Sequence, residues 1–162
     1  MNEFHEELRR TLQALAQPAD VQISLFPSGV AIGDELVLEF DEAFRGFRAA
    51  CQASPQQDAA LNELDEIIER HSGKHNEDLW CDPISLVTDS RWLEMREAAA
   101  RALVEFGWLN EAPSKNGAIY VFAARTERND QLSSASLQGE RTLNWRDRWH
   151  RWCSSRSARR GG

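Results

Sequence analysis

Apolar residues recur at spacings of three and four along most of this chain and alternate with polar ones in only two short places. Residues 90–108, SRWLEMREAAARALVEFGW, carry the clearest helical period: Trp92, Met95, Ala99, Leu103 and Phe106 share one face. Ala98, Ala99, Ala100 and Ala102 favour helix and let a neighbour approach closely. Asp89 or Ser90 suits the N-cap, and Gly107 stands where a left-handed C-terminal residue is wanted. Glu97 and Arg101 lie one turn apart on the outer side.

The same period predicts a first helix over residues 2–16, with Phe4, Leu8, Leu12 and Leu15 inward and Pro18 as the stop. Glu6 precedes Arg10 by one turn, the favourable order. Residues 41–51 read as helix. Residues 36–40 fit either a helical stripe capped by Asp34 or a third strand after a turn at Gly33. Ser54, Pro55 and Gln57 form a helix start, followed by Leu61, Leu64, Ile67, Ile68 and His71 on one face and Gly73 as the end. Residues 76–87 read as a connector with one or two short turns, anchored by Leu79 and Trp80.

Strand signals are fewer. Residues 21–26, VQISLF, alternate and are rich in strand formers. Pro27, Ser28 and Gly29 then signal a turn, and residues 30–32 are a possible return strand. Asn116 and Gly117 are a hairpin dipeptide before residues 118–124, AIYVFAA, the best strand of the chain. The expected fold class is therefore α+β: four to five helices packed on a small, mainly antiparallel sheet. Residues 1–124 are expected as one globular domain and residues 125–162 as a polar linker and a basic Trp/Arg-rich tail.

Composition changes this picture in one respect. The 162-residue chain has a formal charge of −7, which argues against a nucleic-acid-binding body. From Arg125 onward nine basic and four acidic residues give +5, leaving −12 on residues 1–124. A field of that size steers partners. Three distant cysteines, Cys51, Cys81 and Cys153, make no disulfide framework and suit a reducing compartment. No apolar run reaches the roughly 18 residues needed to span a bilayer. The N-terminus lacks the apolar stretch of a signal peptide. A cytoplasmic location is the expectation.

Candidate chemistry is sparse. The sequence has no phosphate loop, G-x-G-x-x-G, G-x-S-x-G, H-E-x-x-H, paired C-x-x-C or EF-hand loop. No catalytic residue and no cofactor is assigned. His71 and His75, with Cys81 and Asp82 downstream, have the donor types of a zinc site or small enzyme, but Gly73 interrupts the helix that would align the rings. Cys81 with His75, or Cys153 with His150, are conceivable nucleophile pairs, whereas Cys51 and Cys81 read by default as buried and inert. Glu63, Glu66, Glu69, Asp78 and Asp82, with Trp80 among them, are the candidate binding residues for a basic partner. The solvated face of an amphipathic helix accounts for most of these acids as well. In the tail, Trp145, Trp149 and Trp152 share a helical face, with Arg146, Arg148 and Arg151 off it. That segment would carry any nucleic-acid or membrane contact.

The order DEIIERHSG, NEDLW, WLEMREAAARALVEFGW spans about half the chain and resembles a pattern in small bacterial proteins. Some such acidic proteins are similar to immunity proteins that neutralise a cognate toxin. The resemblance implies a non-enzymatic inhibitor of immunity or antitoxin type, acting on a basic toxin or enzyme. It brings no catalytic residues with it.

Overall fold

A computed structural model describes residues 2–114 and residue 151. The elements in order are α1 (Glu3–Ala16), α2 (Ala19–Leu25), α3 (Ile32–Ala50), α4 (Pro55–His71), α5 (Glu77–Cys81), α6 (Pro83–Thr88) and α7 (Ser90–Glu105), with a 3₁₀ turn at Lys74–Asn76. The described residues contain no strand, so the expected α+β class is corrected to all-helical over this region. Residues 21–26 lie in or just after α2, Ile32 opens α3, and residues 36–40 are inside α3. The expected strand 118–124, the Asn116-Gly117 hairpin and the tail residues Trp145, Arg146, Arg148, Trp149 and Trp152 fall outside the described residues. Arg151 is exposed.

Helix α1 lies at the centre, packed between α3 and α7, and α4 covers the far side of α7. Leu8, Leu12 and Leu15 of α1 are fully buried against Leu36, Phe40 and Phe47 of α3 and Trp92, Met95, Ala99 and Leu103 of α7. Ala98, Ala99 and Ala102 are also buried completely, so small side chains let α7 sit close to both neighbours. Each large aliphatic side chain in such a core contributes about 1.5–3 kcal/mol through burial.

Local sequence explains the ends of the long helices. Ser54 accepts from the Gln57 N–H while the Gln57 side chain accepts from the Ser54 N–H, a full capping box. Asp89 caps α7 by accepting from the Arg91 N–H. At the other end Gly107 takes φ 68°. The Gly107 and Trp108 N–H groups donate to the carbonyls of Val104 and Leu103, as the expected left-handed termination requires. Asp34 does not cap α3; Ala31 occupies the cap, and Asp34 lies fully buried in the first turn. The expected helix-surface pairs are exchanged for others. Arg101 pairs with Glu63 of α4, Arg9 pairs with Glu6, and Arg10 reaches Glu39 of α3. No described helix is long and apolar enough to cross a membrane.

Candidate functional site

The short helix α2 would not hold by itself, since seven residues are too few to offset helix nucleation. Gln22 holds it. Its side chain is wholly buried, and Nε2 donates to the carbonyls of Ala14 and Leu15 at the end of α1. Its Oε1 accepts from Arg96 Nη2 at 2.9 Å. Arg96, from α7, also donates to the carbonyls of Gln17 and Leu86. One guanidinium therefore ties together the end of α1, α2, α6 and α7. Its partners are neutral oxygens rather than a carboxylate, and burial holds its pKa below the ordinary arginine value.

This tie forms the floor of a groove of about 450 Å³ lined by Ala16, Pro18, Ala19, Val87, Leu93 and Ala100, with Arg96 and Glu97. The groove is aliphatic where it should be wet. Val87 is 67% exposed and Leu93 55%, and Ile84, one turn before Val87 on α6, is 64% exposed. Glu97, exposed, lines it; the exposed Asp20 lies on α2 and the exposed Asp82 caps the start of α6. A second cleft, about 520 Å³, lies between the start of α1 and residues 111–114. Glu3, Glu6, Glu7, Arg9 and Arg10 line it, so it mixes both charge signs and lacks an apolar floor.

The residues singled out from the sequence are scattered. Glu63 is in an ion pair with Arg101 at 2.8 Å; Glu66 and Asp78 are exposed; Glu69 is half-buried. Asp82 is the N-cap of α6, accepting from the Ile84 N–H at 2.9 Å. Trp80 is 1% exposed, its indole N–H donating to the His71 carbonyl, so it belongs to the interior and not to a docking face. His71 Nε2 lies 3.2 Å from a Glu94 oxygen, and Arg70 donates to the other at 2.9 Å. His71 first and then Arg70 hold the Glu94 carboxyl below its ordinary pKa. His75 is exposed and Cys81 half-buried. Among the described residues no group of three or more His, Cys, Asp or Glu is placed to hold a metal ion, so His71, His75, Cys81 and Asp82 are not gathered into a centre. The Cys153–His150 pair lies outside the described residues.

Two features escaped the sequence reading. Gln22 and Arg96 are 74 residues apart, and nothing local marks either as buried. The structure also joins His5 and Cys51, 46 residues apart, with Sγ 3.7 Å from Nδ1. The only signal available was that His5 falls in the first turn of one predicted helix and Cys51 ends another. Comparison with protein-family models, curated proteins and solved structures finds no match to this chain.

Proposed function

We propose that this chain is a non-enzymatic binding protein, an inhibitor of immunity or antitoxin type. It docks a basic protein partner in the groove between α2, α6 and α7. The observation that carries the reading is the exposure of Val87 and Leu93, which line one groove, on a chain of formal charge −7. Exposed aliphatic side chains lining a groove are the kind of surface that interaction sites use, and covering each side chain is worth about 1.5–3 kcal/mol. Glu97 lines the groove, and the exposed Asp20 of α2 and Asp82 at the cap of α6 belong to the same corner of the negative surface; these acids favour a partner whose apolar anchor is flanked by Lys or Arg. A cytoplasmic location goes with this reading, and Cys51 and Cys81, neither of them in a disulfide, suit it.

The test is co-purification of the full chain with one stoichiometric basic protein from its native cells, followed by titration of that protein. The double variant Val87→Glu, Leu93→Glu should weaken binding at least about 100-fold, as loss of central apolar anchors does, with the helical circular dichroism unchanged. A partner held equally well by the double variant would place the interface elsewhere. Purification of the native chain with no bound protein would end the reading.

A further inference from the structure

The groove between α2, α6 and α7 has the dimensions of a short helical segment. Its α7 wall runs from Leu93 to Ala100, a step of seven residues or about 10 Å. Its walls are helices, and the described residues offer no strand edge with which an extended segment would pair. Val87 and Leu93 make its exposed surface aliphatic, and Glu97 lines it with a negative charge. Arg96, which also lines it, donates only to neutral oxygens of Gln17, Gln22 and Leu86, so its charge is not cancelled and attracts the face of an aromatic ring.

Such a surface asks for apolar anchors one and two turns apart with cations beside them, and the chain carries that pattern itself. Trp145, Trp149 and Trp152 fall at spacings of four and three, so on a helix they span the same seven-residue step and the same length of about 10 Å. Arg146, Arg148 and Arg151 stand off that face, against Asp147 as the single acid of residues 143–153. Arg151, the one residue of this segment that the structure describes, is helical and exposed. The charges are complementary, +5 from residue 125 onward against −12 before it. Residues 115–142 join Ser114 to the segment. A coil of that length reaches about 30 Å, comparable with the width of a domain of this size. The cleft beside Ser114 mixes both charge signs and gives indoles no apolar floor.

We propose that residues 143–153 occupy this groove in the same chain, with the indoles over Val87 and Leu93 and the arginines turned towards Glu97. The tether sets an effective concentration on the order of 1 mM, so a segment of intrinsic Kd about 0.1 mM fills the groove about nine-tenths of the time. One consequence rests on the function proposed above: the groove is shielded until a basic partner displaces the segment.

The experiment is hydroxyl-radical footprinting of the full chain, read residue by residue by peptide mass mapping. In the double variant Trp149→Ala, Trp152→Ala, oxidation of Val87 and Leu93 should rise about three- to tenfold over the native chain. Leu109, exposed and outside the groove, should not change. Glu97→Lys should act in the same direction by removing the facing charge. Protection in the native chain should survive tenfold dilution. Unchanged oxidation of Val87 and Leu93 in the tryptophan variant overturns the proposal, and protection lost on dilution assigns the groove to a second copy instead. None of these arms uses a partner, so they can fail while a basic protein still binds through Val87 and Leu93, and succeed where none is found. With a partner in hand, the tryptophan variant should bind it about three- to tenfold tighter than the native chain, and equal affinity would overturn the shielding.

Discussion

Gly33 stands in the first turn of α3 with no room for a side chain. A Cβ there would lie 2.6 Å from the Trp80 carbonyl oxygen and 2.7 Å from Trp92 Cζ2. Both neighbours are buried, and the two indoles pack edge to face at 5.5 Å, so neither can give way easily. Gly33→Ala should therefore cost about 1–3 kcal/mol by overpacking, read as a lower denaturant midpoint, although alanine is the better helix former. Asp89 is decided by nearer neighbours. Its bond to the Arg91 guanidinium, aided by the Arg91 N–H, holds its carboxyl down to about 2. The folded value lies below the unfolded one, so the stabilisation is present above about pH 4 and is lost as pH falls towards 2. Asp89→Asn keeps a capping oxygen and removes the charge. Acid titration of its unfolding free energy should be flatter over that window than the native protein's, and parallel curves would show that Asp89 is not the group responsible.

Among the elements, α4 and α7 were readable and α2 was not. The capping box at Ser54, the proline after it and Gly107 act within one turn of where they stand, so their consequences are local. In residues 21–26 the alternation set Gln22 on the polar side of a strand. The structure turns Gln22 inward, completely buried, because the end of α1 offers it two carbonyls and α7 offers it Arg96. A polar residue that is buried because it is satisfied leaves no trace in a hydrophobicity pattern. Arg96→Met keeps most of the stem and leaves Gln22 Oε1 and the carbonyls of Gln17 and Leu86 without this donor. The expected loss is about 2–4 kcal/mol, and amide exchange in α2 should accelerate more than exchange in α4. Equal acceleration in both helices would mean that Arg96 supports the whole core and not this corner.

Across the molecule, charge and shape divide differently from the sequence expectation. Asp34, Glu35 and Asp41 carry part of the formal negative charge of residues 1–124, yet all three are buried on α3. Asp41 pairs with Arg45, and Glu63 and Glu94 are tied to Arg101 and Arg70. The net charge already counts those arginines, so the pairs localise the exterior field and do not reduce its total, and the exposed acids Asp20, Asp78, Asp82 and Glu97 stand out on the surface. Under the proposed function, association with a basic partner should slow as salt rises from low to physiological concentration, while dissociation, governed by Val87 and Leu93, changes little. A dissociation rate that carries all the salt dependence would contradict that division of roles.

The candidate site was half legible for the same reason. Residues 76–87 read correctly as a connector with short turns anchored by Leu79 and Trp80. That Ile84 and Val87 would face out depended on where α2 and α7 lie. From the sequence alone came the stripes of α1, α3 beyond residue 41, α4 and α7, together with the caps of α4 and α7, because period and capping are set within a few residues. Tertiary structure alone decided that residues 21–25 and 36–40 are helical, that Gly33 is a contact and not a turn, and that Cys51 meets His5. Each of those outcomes turns on atoms dozens of positions away, whose free energy appears only when the chain closes around them.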